Sequence, residues 1–167
     1  MHLKLQTHAS PIGDILLVSD GDGAVRALDF HDYEPRLHRL LRRHYGDYTL
    51  ATGAAPKIVT AALDAYFAGD HTAIDSLPVA TGGTDFQRSV WNALRAIPPG
   101  QTLTYSQLAD RIGKPSARRA VGLANGAKPI AIIVPCHRVI GADGSLTGYG
   151  GGLHRKQWLL AHESLTH

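Results

Sequence analysis

Short segments with strand-like apolar content open the chain, so residues 3–8, 14–19 and 25–30 each read as a strand. Turn chemistry separates them at Ser10-Pro11-Ile12-Gly13 and Asp20-Gly21-Asp22-Gly23. The pattern predicts an antiparallel hairpin or a three-stranded meander. Helical spacing follows. Pro35 falls in a first helical turn, and Leu37, Leu40 and Leu41 form one apolar stripe among Arg36, Arg39, Arg42 and Arg43. A second helix is predicted over residues 56–68, with Ile58, Ala62, Leu63 and Phe67 inward and Gly69 as its C-cap. After Thr81-Gly82-Gly83, Thr84 caps a helix with Phe86, Val90, Trp91, Leu94 and Ile97 on one face, ended by Pro98-Pro99-Gly100. Two short helices follow, over residues 105–112 and from Ser116 as N-cap to about residue 126, joined by Gly113-Lys114-Pro115. They form a helix-turn-helix pattern. The β-branched run at residues 130–134 predicts a buried strand that breaks at Pro135. A last helix spans residues 153–163, with Trp158, Leu159 and Ala161 inward.

These elements divide into an N-terminal α/β support domain, residues 1–82, and a mainly helical winged-helix domain, residues 83–167. A chain of 167 residues that is 44% hydrophobic and 19% charged has the composition of an ordinary folded protein. Charge separates the halves. Residues 1–84 carry seven Lys/Arg against ten Asp/Glu, and residues 85–167 carry ten against four. A basic half beside a mildly acidic one suits a nucleic-acid-binding module with a support domain, although solvated surface charge gives the same count. A single cysteine excludes an intrachain disulfide and any multi-cysteine zinc site, and suits a reducing compartment. The first residues lack a signal-peptide pattern, and no apolar stretch approaches the ~20 residues of a membrane helix. A cytoplasmic protein without membrane contact is expected. Histidines and carboxylates are scattered without ligand spacing, so no metal or cofactor is expected.

Candidate chemistry concentrates in the basic half. The second helix of the helix-turn-helix places Ala117, Ala120 and Ala124 at i, i+3 and i+7, behind the paired Arg118 and Arg119. Small residues allow close approach to a partner surface and arginines supply phosphate contacts, although the alanines could equally pack on a neighbouring helix. Cys136 follows Pro135 at the end of the apolar run. Buried free cysteines are more often small hydrophobes than nucleophiles. A thiol reacts as its thiolate, near pKa 8.5 when free, and needs a base or a positive setting. His137 is adjacent but, on extended backbone, would point to the opposite face. It would itself need a carboxylate partner, for which Asp85, Asp110, Asp143 and Glu163 are available. Glu163 on the last helix reads either as an inward acid or as a frayed surface residue. The glycine-rich segment at residues 146–152 is not a phosphate-cradling loop, since no Gly-Lys-Ser/Thr follows it.

Pro135-Cys136-His137-Arg138-Val139-Ile140-Gly141 resembles the active-site signature of the O6-alkylguanine–DNA alkyltransferases. The likeness extends through Phe86-Gln87, Val90-Trp91, Tyr105, Leu108-Ala109, Arg119-Ala120-Val121-Gly122, Thr147 to Gly152, and Lys156 to Glu163. The first half is similar to the constitutive bacterial Ogt type. The resemblance implies an RNase-H-like N-terminal lobe and a helix-turn-helix whose second helix enters the minor groove. It implies duplex DNA with alkylated bases as the partner, a monomer, and no cofactor. Arg119 would replace the flipped nucleotide in the stack, with Tyr105, Ser106, Ala117, Ala120 and Ala124 at the DNA surface. Cys136 would take the alkyl group irreversibly from guanine O6, or from thymine O4, with His137 and Glu163 easing thiolate formation. Tyr105 would hydrogen-bond the departing base, and Val139, Tyr149 and Asn125 would line its pocket. One departure stands out: Lys128-Pro129 occupies the place of the family's Asn-Pro.

Three other readings remain distinct in their chemistry. A non-catalytic lesion binder would lack the cysteine. A plain winged-helix regulator would leave Pro-Cys-His-Arg unexplained. A cysteine hydrolase would need a turnover step and an oxyanion hole.

Overall fold

Strands form over the three apolar segments that open the chain. In a computed structural model describing residues 1–146 and 148–164, they are β1 (His2–His8), β2 (Ile15–Ser19) and β3 (Val25–Phe30), paired antiparallel in sequence. A fourth strand, β4 (Thr49–Thr52), pairs parallel with β1, aligning Leu3 with Leu50, and gives the order β3-β2-β1-β4. The meander predicted from sequence is therefore a four-stranded mixed sheet. The added strand is short and mostly exposed, so it carries little apolar signal. Helix α1 (Glu34–Tyr45) lays Leu37 and Leu41 on Leu3, Leu16, Val18 and Ala27 of the sheet.

Helix α2 (Lys57–Phe67) forms where expected but is turned about its axis. It buries Val59, Leu63 and Tyr66, whereas Ile58 is 66% exposed. A shift of one residue rotates a helix face by about 100°. Tyr66, outside the inward set predicted from sequence, is fully buried with its ring edge-on to Phe67 and His71. Its weight decides the phase.

Residues 129–133 belong with this first unit, Met1–Gly82. They are buried as predicted, but they are not a strand. Only Ile130 bridges to Leu28, through Leu28 N–H to the Pro129 carbonyl and Ala131 N–H to the Leu28 carbonyl, each at 3.0 Å. A second bridge joins Val25 to Val79, so two short contacts cover the outer edge of β3. The chain then folds over at Ile132, whose φ of 67° is a left-handed value that costs a β-branched residue energy. Ile133 N–H bonds back to the Ala131 carbonyl at 2.7 Å.

The second unit comprises residues 83–128 and 134 onward. Thr84 and Thr104 each close a capping box, with Gln87 and Gln107, at the starts of α3 (Asp85–Arg95) and α4 (Tyr105–Arg111). Helix α5 (Arg118–Gly126) completes the helix-turn-helix across Gly113, at φ 74°. Its N-cap is Ala117 and makes no side-chain cap bond; Ser116 lies one residue outside. Strand β5 (Leu103–Thr104) pairs parallel with β6 (Val139–Ile140). Helix α6 (Leu153–Ser164) buries Arg155, Lys156, Leu159 and Glu163, whereas Ala161 is exposed and Trp158, half-buried, stacks on His162 at 4.7 Å. Its inward stripe is largely charged, which an apolar pattern cannot reveal. Among the described residues no helix is long and apolar enough to cross a membrane.

Candidate active site

Proline fixes how the cysteine is presented. Pro135, at φ −82° and ψ 65°, centres an inverse γ-turn closed by Cys136 N–H on the Val134 carbonyl at 2.8 Å. Its ring pre-sets that φ. The next three residues, Cys136–Arg138, make one turn of 3-10 helix. Three residues per turn send successive side chains in different directions around the axis rather than to opposite faces. The expectation of opposed Cys136 and His137 side chains on extended backbone is thereby replaced. All three are buried, with Cys136 2% exposed and His137 fully enclosed.

Of the four carboxylates available in sequence, Glu163 on α6 is the one that bonds His137. Its Oε2 accepts from His137 Nε2 and from Arg138 Nη2, both at 2.8 Å, and its Oε1 accepts from Arg138 Nε at 2.9 Å. Arg138 Nη1 also donates to the Ile97 carbonyl at 2.6 Å. The arginine fork thus ties α6, the 3-10 turn and the end of α3 together. Burial would raise the Glu163 pKa, but the bonds and charges of His137 and Arg138 overcome it and hold the carboxyl below its ordinary range. Glu163 is an anion.

His137 is pushed the other way. Burial disfavours its charged form; the Glu163 bond and charge oppose this, and Arg138 and Lys128 reinforce it, leaving its pKa below the ordinary value. The ring is neutral at neutral pH. With Nε2 donating to Glu163, the proton is assigned to Nε2 and Nδ1 is the acceptor. Nδ1 is buried with no hydrogen-bond partner among the described residues. An imidazole held in this tautomer, beside a buried thiol, can take up a proton.

A second cation lies close. Lys156, fully buried, donates from Nζ to the Val139 carbonyl at 2.6 Å. Burial lowers its pKa; attraction to Cys136 opposes that, and Lys128 adds to the lowering. Lys156 and Arg138 both lie within the segments that carry the resemblance, but nothing in the sequence pattern sets them apart from surface cations. Burial of a charge is what marks them, and a sequence does not display it.

The remaining predicted residues fall in two groups. Val139, Tyr149 and Asn125 are buried, and the Asn125 Oδ1 has no partner among the described residues. Tyr105 opens α4 and is half-buried; a methyl group on Gly148 would stand 3.9 Å from its hydroxyl, and one on Gly122 would stand 3.9 Å from its ring. Tyr105, Ser106, Arg118, Arg119, Gly122 and Leu123 line a cavity of about 400 Å³. Cys136, Val139, Tyr149 and Asn125 do not line it. Thr147 of the glycine-rich segment lies outside the described residues.

The three alanines differ in exposure. Ala120 is exposed, Ala117 is the N-cap, and Ala124 is 3% exposed, its carbonyl accepting from Trp91 Nε1 at 2.9 Å. Steps of three and then four residues keep them within about 60° of one another around the axis, so the stripe straddles the border between the side packed on α3 and the exposed side. The outer side is Arg118, Arg119, Ala120 and Leu123, the last 73% exposed. Leu123 is the position that the alanine spacing concealed. Among the described residues no group of His, Cys, Asp and Glu could hold a metal ion.

Comparison with known proteins agrees with this geometry. The sequence matches the ribonuclease-like domain of 6-O-methylguanine DNA methyltransferase over residues 3–81 and the DNA binding domain over residues 85–165. It is 52% identical over 157 residues to a methylated-DNA–protein-cysteine methyltransferase of Salmonella typhimurium, covering 93% of this chain and 92% of that one. A Mycobacterium tuberculosis protein of the same name is 51% identical over 164 residues, covering 96% and 92%. The fold superposes with a TM-score of 0.78 on a crystal structure of Mycobacterium tuberculosis OGT in complex with DNA, at 43% identity, over 98% of this chain and 93% of that one. In both halves, the chain belongs to the 6-O-methylguanine DNA methyltransferase family.

Proposed function

We propose that Cys136 accepts the alkyl group of O6-alkylguanine, and of O4-alkylthymine, from a base flipped out of duplex DNA. The observation that carries this reading is the Glu163-anchored His137, whose buried Nδ1 has no hydrogen-bond partner among the described residues and belongs to the residue that follows the chain's single thiol. The thiol proton passes through a water to Nδ1, forming an imidazolium that the Glu163 anion stabilises. Sγ then displaces guanine O6 from the alkyl carbon. A C–S bond forms, the C–O bond breaks, and the electron pair stays on the base. Tyr105 donates a hydrogen bond to that base, so that it need not depart as a bare anion. The thioether has no leaving tendency, so each chain acts once.

The cavity at Tyr105 and Arg119, with the exposed arginines at the start of α5, supports docking of a duplex by the helix-turn-helix. Arg119 takes the extruded nucleotide's place in the stack, while Ser106, Ala117 and Ala120 meet the backbone. Ala124, turned toward α3, acts through packing instead. Val139, Tyr149 and Asn125 form the base pocket, which opens when the base arrives. The protein works as a monomer in the cytoplasm.

Incubation with a duplex containing O6-methylguanine, followed by intact-mass measurement, tests this. The expected result is one methyl per chain, located on Cys136 and saturating there, with Cys136→Ala unmodified yet still binding DNA. An unmodified wild-type chain would leave only a lesion binder, and turnover without an adduct would make the protein a hydrolase.

A further inference from the structure

Leu123 is 73% exposed, the most open of four large apolar side chains that face solvent among the described residues. A lone exposed leucine is common on protein surfaces and implies nothing by itself. Its setting is what differs. Met1, Ile58 and Leu153, the other three, do not line the cavity of about 400 Å³ beside Tyr105 and Arg119, whereas Leu123 does. It lies four residues after Arg119, so the two side chains are neighbours on the outer side of α5. Arg118, Gly122 and Ala142 line the same cavity, and among the described residues no carboxylate does.

Chemistry selects what can cover such a wall. Exposed Arg118 and Arg119, with Arg111 and Lys114 on the preceding turn, call for a polyanion. A leucine gains nothing from a phosphate. It gains from deoxyribose carbons and base edges, which lie between the phosphates of a duplex. Both kinds of side chain on one helical turn fit the rim and the floor of a nucleic-acid groove.

We propose that Leu123 is a second, apolar kind of DNA contact on α5: it packs against sugars and base edges beside the nucleotide that Arg119 replaces, and it supplies a part of the affinity that salt does not weaken. The proposal rests on α5 docking on the duplex.

Salt separates the two kinds of contact. An arginine that neutralises a phosphate releases a counterion, so affinity falls with salt in proportion to the number of such contacts. Burying a leucine takes apolar surface out of water and releases no counterion. Loss of the leucine therefore weakens binding by one factor at every salt concentration, whereas loss of an arginine changes the slope.

The test is the dissociation constant for a duplex containing O6-methylguanine, measured between about 50 and 200 mM salt. The parent is Cys136→Ala, so that no transfer consumes the ligand, and the variants added to it are Leu123→Ser, Leu123→Met, Arg118→Ala and Ile58→Ser. Leu123→Ser is expected to bind about tenfold more weakly at every salt concentration, with the slope of log Kd against log salt unchanged. Leu123→Met keeps the apolar volume and stays within about twofold of the parent. Arg118→Ala reduces the slope by about one. Ile58→Ser removes a comparably exposed side chain from α2 and leaves affinity and slope as they are. Parent-like binding by Leu123→Ser overturns the proposal. So does weaker binding accompanied by a lower urea midpoint, which would assign the leucine to the fold. A parent whose affinity has no salt slope would refute docking by α5 itself, a different failure that is seen before any variant is compared.

Discussion

Glu163 accepts three hydrogen bonds from two residues, and its two donors are adjacent in sequence. One carboxylate therefore sets the histidine tautomer and neutralises a buried arginine. Replacing it with glutamine keeps the shape but puts an N–H where a donor already points, and it strips Arg138 of its counter-charge. Breaking a buried ion pair from one side costs about 3–5 kcal/mol. Glu163→Gln is expected to lower the urea midpoint by that energy divided by an unchanged m-value, and to slow alkyl transfer. An unaltered midpoint would show that Arg138 is neutralised from elsewhere. At this scale the sequence was legible for Cys136, His137 and Glu163 because resemblance marked them. The physics that makes them a unit was not, since Arg138 and Lys156 look in sequence like any other surface cations.

The helix starts matter most among the elements. Thr84 and Thr104 make the same capping box, but the residue following Thr104 is Tyr105, whereas the one following Thr84 is Asp85. Each threonine-to-alanine change is expected to cost about 1 kcal/mol of stability. Only Thr104→Ala should also slow transfer from duplex DNA, because it loosens the turn that aims the phenol. Equal transfer rates in the two variants would separate Tyr105 from the chemistry. Capping threonines, turn glycines and apolar spacing are readable one element at a time, which is why the six α-helices and strands β1 to β3 lie close to where the pattern places them, whereas the short strands β4, β5 and β6 carry no such signal. Failures came where neighbours decide. The phase of α2 turns on a buried tyrosine, the inward side of α6 on buried charges, and residues 130–134 on an Ile132 backbone value that no propensity anticipates.

For the molecule as a whole, the buried charges set a working range of pH. His137 is held below its ordinary value of 6.5, so the unfolded chain takes up a proton first as the pH falls, and stability declines below about that point. Glu163, held below its ordinary 4.5, contributes stability above that value and loses it as the medium becomes more acid. The losses add. Tyr45 bounds the other side: its half-buried hydroxyl donates to the Arg26 carbonyl at 2.7 Å, and partial burial pushes its pKa up to about 12, so stability falls as pH rises through the unfolded value of 10. Denaturant midpoints measured across pH should show a plateau near neutrality, a fall beginning near 6.5 and a steeper one below 4.5. A midpoint that stayed constant down to pH 5 would contradict the neutral His137. Charge counting served less well at this scale. Arg138, Arg155 and Lys156 are buried, so part of the basic excess of residues 85–167 never faces solvent. The exposed part gathers at Arg111, Lys114, Arg118 and Arg119, around the turn between α4 and α5.

The chain has one sulfhydryl, and it is 2% exposed. If each molecule is consumed by one transfer, that sulfhydryl is also its record. A chromogenic thiol reagent added in denaturant counts the chains still unspent in any sample, without DNA and without a label. The same reagent on the folded protein measures a different quantity, how often the turn carrying Cys136 opens to the outside. The ratio of the two signals tells a depleted preparation from a damaged one.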